Sequence, residues 1–147
     1  MESILAKQHG QLNGEHSFPI YYEDTDLSGF VYHANYLKFF ERAREHLIGI
    51  SYLKDLWDQG IHFVVSEAQL KYLRPAKHGD TITIRSQVEF SSSPILKCQQ
   101  NAIVKGSGAE TKIVEGKITL VTLNHDHKPI RLPEHIIRKF MGEQTTR

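Results

Sequence analysis

Three acids crowd into four positions ahead of a helix-forming stretch: Glu23, Asp24 and Asp26, within Tyr21-Tyr22-Glu23-Asp24-Thr25-Asp26-Leu27-Ser28-Gly29-Phe30-Val31-Tyr32-His33-Ala34-Asn35-Tyr36. A carboxylate there can serve as a nucleophile or as a general base. The first N–H groups of a helix lack intrahelical partners and carry its positive end charge. Main-chain donors near His33 can therefore polarise a carbonyl, or hold the oxyanion that attack on it creates. Together these are the parts of an acyl-transfer site. The plainer account is an acidic loop that caps a helix, as strand-to-helix loops commonly do.

Other signals carry less. His125 and His127 have the spacing of metal ligands, but no neighbouring cysteine or third ligand completes a set, and a polar turn before Pro129 accounts for them. No metal is assigned. Cys98 alternates with apolar residues, which marks a small buried hydrophobe more than a nucleophile. Ser28 lacks the G-x-S-x-G frame of serine hydrolases, and Gly106-Ser107-Gly108 has no following Lys-Ser/Thr, so it reads as a hairpin turn.

The elements that must position the acidic segment follow from periodicity. Ser17 to Glu23 reads as a strand, with Phe18, Ile20 and Tyr22 on one face. Between Ala34 and Ile48, Tyr36, Phe40, Ala43 and Leu47 recur at helical spacing, broadened by Leu37, Phe39 and Ile48; Lys38, Glu41, Arg42, Arg44 and Glu45 form the solvated side. Tyr36, Phe39 and Phe40 are core residues before they are pocket residues. Gly49 suits a C-cap, and a second short helix spans Tyr52 to Gln59, with Ser51 as its cap and Gly60 as its stop. Thereafter the period is 2, through Ile61–Leu73, Thr81–Phe90, Ile95–Lys105 and Lys112–Leu123. Short connectors make these strands antiparallel neighbours, and Pro133 to Met141 closes the chain as a helix. The order predicts an α+β domain in which a long antiparallel sheet is covered by the helix at 34–48. Residues 1–15 read as a mobile lead-in, 16–141 as the domain and 142–147 as a tail.

Composition sets the frame. A chain of 147 residues with 39% hydrophobic and 24% charged residues suits one globular domain. A formal charge of +1 is too balanced for a surface tuned to nucleic acid or anionic lipid. One cysteine permits no internal disulfide, and no run approaches a membrane span, so the expectation is a cytoplasmic protein.

The run from Tyr22 to Arg44, YEDTDLSGFVYHANYLKFFERAR, resembles the signature of hot-dog-fold acyl-CoA thioesterases of the 4-hydroxybenzoyl-CoA thioesterase and YbgC type. The resemblance implies a five-stranded antiparallel sheet wrapped around a central helix. It implies hydrolysis of an acyl-CoA thioester to coenzyme A and a free acid, without a cofactor. By position it makes Asp26 the catalytic carboxylate, with Asp24 as fallback and Glu23 a surface acid. It makes His33 the residue whose N–H polarises the carbonyl, its imidazole assisting, and Tyr22 the hydroxyl that orients Asp26 or its water. Gly29 permits the tight turn between them. Lys71, Arg74, Lys77 and His78 cluster at a turn where coenzyme A phosphates could be met, although a solvated strand end explains them as well. Expected partners are acyl-CoA or acyl carrier protein as donor and a second copy of the chain, as dimer or tetramer. A non-catalytic acyl-CoA or acyl-carrier-protein binding protein is the rival reading. Asp26 argues against it.

Overall fold

The computed structural model describes residues 9–145. Its elements run β1 (His9–Pro19), a 3-10 turn (Tyr22–Asp24), α1 (Asn35–Ile48), α2 (Ile50–Asp58), β2 (His62–Tyr72), β3 (Thr81–Ser91), β4 (Ile95–Lys105), β5 (Glu110–Leu123) and α3 (Glu134–Thr145). Every strand pair is antiparallel, in the order β1-β3-β4-β5-β2. The chain thus crosses the sheet with α1 before laying β2 on the edge opposite β1. This is the expected α+β layout, one sheet around one central helix.

The first strand departs from expectation. Residues 9–15, expected in the mobile lead-in, pair with β3 from His9↔Ser91 to Glu15↔Arg85. Residues 1–8 lie outside the described residues. The inward positions of β1 are Leu12, Gly14, His16 and Phe18, only two of them apolar. The His16 ring stacks on His46 at 3.8 Å between centroids, and a Cβ on Gly14 would come within 2.9 Å of Leu47. A strand whose inner face is filled by glycine and histidine shows no hydrophobic alternation. The strand also ends at Pro19 instead of Glu23, because Tyr22–Asp24 turn back on themselves. At the other end, α3 runs into the expected tail as far as Thr145, and residues 146–147 lie outside the described residues.

Helix α1 buries Tyr36, Phe39, Phe40, Ala43 and Ile48 against the sheet, each large side chain contributing about 1.5–3 kcal/mol relative to exposure. Gly49 (φ +106°) ends it, donating its N–H to the Glu45 carbonyl, and α2 starts directly at Ile50, before the expected Ser51 cap. Beneath α1 a row of small or polar residues crosses the sheet: Gly14, Ser86, Gln100 and Gly116 face one another on successive strands. A Cβ on Gly116 would lie 2.6 Å from the Phe40 ring, so the helix rests directly on this row. Arg44, expected on the solvated side, is buried above it. Its Nη1 donates to Gln100 Oε1 (2.9 Å), and Gln100 Nε2 donates to the Phe40 carbonyl (3.0 Å) and to Ser86 Oγ (2.9 Å). The arginine is tolerated there because part of its hydrogen-bonding capacity is met inside the core. Burial also pushes the Cys98 thiol up to about 11, which leaves it an unreactive core residue, as its strand position predicts.

Strand β2 is packed differently. A bulge at Ser66 shifts its register, so that Phe63, Val65, Ala68, Leu70 and Tyr72 all lie opposite inward residues of β5. Yet Val65, Ala68 and Tyr72 remain exposed and Phe63 and Leu70 only partly buried. Helix α1 covers the rest of the sheet and leaves this inner edge open.

Candidate active site

The segment from Tyr21 to Ala34 is built by hydrogen bonds that begin with Asp24. Its carboxylate accepts the Tyr21 N–H (2.8 Å) at one oxygen and the Asn35 side-chain amide (2.9 Å) at the other, while its carbonyl accepts the Tyr32 N–H. Buried and doubly bonded, Asp24 ties the 3-10 turn to the first residue of α1. Thr25 bridges to Val31 and Phe30 to Lys77, and the Val31 N–H donates to the Ala76 carbonyl, so the loop is clamped to the turn between β2 and β3.

Asp26 sits at the tip of this clamp, exposed to solvent. One carboxylate oxygen accepts both the Ser28 N–H (2.8 Å) and the Ser28 hydroxyl, an Asx turn completed by Gly29 at φ +84°. The Ser28 hydroxyl, then the Ser28 N–H, and in smaller part the His33 imidazole hold the carboxyl below its usual value. The group is ionised at neutral pH. Its second oxygen accepts no bond from another described residue.

His33 stands at the head of α1, where Asn35 N–H already turns back to the Tyr32 carbonyl (2.8 Å). No main-chain acceptor among the described residues takes the N–H of His33 or of Ala34, which leaves these donors at the positive end of the helix. The peptide that follows His33 is fixed from the far side: Tyr72, at the end of β2, donates its hydroxyl to the His33 carbonyl (2.8 Å), and its ring meets the His33 imidazole edge-on. Beside it Tyr36 is buried against the Ala76 amide, and burial pushes its hydroxyl up to about 12. Tyr36 is thus a wall residue whose hydroxyl stays neutral at physiological pH.

The structure therefore brings His33 within electrostatic reach of Asp26 and shows no hydrogen bond from Tyr22 to the carboxylate. Tyr22 is 80% exposed and its ring rests against His78. The partner that sets Asp26 is Ser28. The sequence reading missed Ser28, although the Asp-x-Ser-Gly turn pattern is a signal that could have found it. Tyr72 gave no such signal, since only the tertiary fold brings the end of β2 to the helix start. Glu23 is exposed, as a surface acid should be, and Arg74, Lys77 and His78 lie on the turn clamped to the site loop. Among the described residues no group of side chains could hold a metal, and His125 instead lies beside Asp126 in a turn.

A family model for the thioesterase-like superfamily matches residues 21–140. The chain belongs to that superfamily. It is 33% identical over 138 residues to the acyl-CoA thioesterase YbgC of Haemophilus influenzae, covering 88% of this chain and 96% of that one. To the acyl-CoA thioester hydrolase YbgC of Escherichia coli it is 30% identical over 124 residues, covering 82% and 90%. Among solved structures, a probable thioesterase from Bartonella henselae superposes with a TM-score of 0.65 at 30% identity, over 83% of this chain and 99% of that one. A 4-hydroxybenzoyl-CoA thioesterase mutant complexed with 4-hydroxybenzoyl-CoA shares the hot-dog fold, at a TM-score of 0.77 and 15% identity over 86% and 97%. Within the superfamily this chain is an enzyme, a thioesterase.

Proposed function

We propose that the protein hydrolyses acyl-CoA thioesters, with Asp26 as nucleophile or general base and the N-terminus of α1 as oxyanion site. The observation that carries this reading is the Asp26 carboxylate, held below its usual value by Ser28 and with one oxygen that accepts no bond from another described residue, on the loop that leads into the open N–H groups of His33 and Ala34. In the nucleophilic route the carboxylate attacks the thioester carbon, the oxyanion is held by the helix-end donors, and the coenzyme A thiolate leaves. Water then opens the mixed anhydride and restores Asp26. In the general-base route Asp26 takes a proton from the attacking water and returns it to the departing sulfur. Both routes need the same two groups.

The YbgC relatives, named as acyl-CoA thioesterases, support coenzyme A as the donor, and the basic turn carrying Arg74, Lys77 and His78 beside the site suits its phosphates. Acyl carrier protein is the alternative donor. Tyr22 stands at the lip of the site, where its hydroxyl can meet substrate or water. A second copy of the chain belongs against the open edge of β2, where Val64 and Leu73 are exposed, giving a dimer and by further pairing a tetramer. The free, buried Cys98 suits a reducing cytoplasm. Among the described residues no helix is long and apolar enough to cross a membrane.

The test is thiol release from a panel of acyl-CoA thioesters by the wild-type protein and by Asp26→Asn. Turnover that the substitution abolishes supports the enzyme. Saturable acyl-CoA binding without thiol release supports the non-catalytic binding protein instead.

A further inference from the structure

Between α1, α2 and the uncovered inner edge of β2 lies a hollow of about 440 Å³, walled by Ile48, Leu53, Trp57, Phe63 and Val65. Arg44 also lines it. Its side chain belongs to a residue only 8% exposed, and Gln100 takes one of its N–H groups. Among the described residues no carboxylate lies within ion-pair distance, and no acceptor takes the remaining guanidinium donors. A fixed donor set at the floor of an apolar hollow is what recognises the oxygen of an otherwise apolar ligand. Glu41 and Glu45 also line the hollow, and their charges oppose a second anion there. The chemistry favours an uncharged oxygen, a hydroxyl or carbonyl, over a carboxylate.

The hollow and the candidate active site lie along the same flank of α1, both facing the inner side of β2. Leu37, Glu41 and Arg44 follow one another at helical spacing down a single flank of α1 from His33 just ahead of its first turn, and Leu37 is exposed. Opposite them run Tyr72, Leu70, Ala68, Val65 and Phe63 of β2. Tyr72 meets His33 at one end, and Phe63 and Val65 share the hollow with Arg44 at the other. At 1.5 Å per residue the two ends are roughly 16 Å apart along the helix axis.

We propose that this hollow is a subsite for the far end of an elongated acyl group, and that Arg44 selects chains bearing an uncharged oxygen at that end. The assignment rests on the thioesterase reading for where the thioester lies. Arg44 acts here as a specificity residue and takes no part in the bond-breaking step.

Trp57 is the chain's single tryptophan and lines the hollow, so its fluorescence reports occupancy independently of turnover. Asp26→Asn protein, and the wild type on ice as a check, are titrated with dodecanoyl-CoA and with ω-hydroxydodecanoyl-CoA. The expected result is a saturable change in Trp57 emission, with the hydroxylated ligand bound at least tenfold more tightly. Arg44→Met, verified as folded by circular dichroism, removes that preference. If Arg44→Met does not fold, Val65→Phe fills the hollow from its exposed wall and weakens binding of both ligands at least fivefold. Equal affinities for the two ligands, a silent Trp57, an undiminished preference in folded Arg44→Met, or undiminished binding by Val65→Phe would overturn the subsite. Thiol release by the wild type is read separately: hydrolysis with a silent Trp57 removes the subsite alone, and a selective Trp57 response without hydrolysis removes the thioesterase reading alone.

Discussion

The middle of α1 and its N-terminal end obey opposite rules. In the middle, Phe40 has no exposed surface, Arg44 donates to Gln100, which in turn donates to Ser86, and Gly116 leaves no room for a methyl group. At the N-terminal end, Asp26 and Leu27 stand in solvent, Tyr72 is half exposed, and two main-chain donors lack backbone acceptors. The packed segment holds the helix in place so that the open segment can keep polar groups unsatisfied for a substrate. Stability and chemistry are therefore separable along one element.

That separation is broken or sharpened by variants at either end. Asp26→Asn should lower turnover by about a thousandfold or more, a loss typical of removing a central catalytic group, and leave the thermal midpoint unchanged because the carboxylate is exposed. A large fall in melting temperature would break the comparison. Gln100→Ala should do the reverse, costing about 2–3 kcal/mol of stability in a denaturant titration, since it strips Arg44 of its buried acceptor. Gly116→Ala should cost about 1–3 kcal/mol by forcing the Phe40 ring away from the sheet. It should leave KM nearly unchanged in the folded fraction.

Smaller effects belong to groups that only position the site. Tyr72→Phe removes the hydroxyl that fixes the His33 carbonyl, and kcat should fall severalfold with little change in KM, measured by steady-state thiol release. Ser28→Ala should be silent at neutral pH. The Ser28 hydroxyl is the first cause of the lowered Asp26 value, so its loss raises that value toward the ordinary carboxylate range. The active form is the ionised one and is lost as pH falls through the group's value. The acid limb of the pH–rate profile should therefore move to higher pH while the alkaline limb stays put.

Much of the fold was legible because hydrophobic period is a local property. Ile82, Ile84, Val88 and Phe90 alternate with polar residues and all point into the core, and the helix at 34–48 declared its buried face. The edge strand β1 was illegible over residues 9–15 because Leu12 is the single large apolar side chain on its inner face there, with Gly14 next to it. Arg44 read as a solvent residue because a guanidinium is usually one, and only Gln100, far away in sequence, makes its burial tolerable.

Of the candidate site, the sequence by itself carried the local parts: the acidic run Glu23, Asp24 and Asp26, a turn at Gly29, and a helix start near Ala34. These are set by neighbours within a few residues, where bond geometry and hydrogen-bonding capacity suffice. The tertiary structure alone decided the rest. It sank Asp24 into a structural bond with Asn35, carried Tyr72 to the His33 carbonyl from the other end of β2, and left β2's inner edge uncovered above Arg44. Those outcomes depend on which surfaces meet when the sheet closes on the helix, and a linear pattern does not record such contacts.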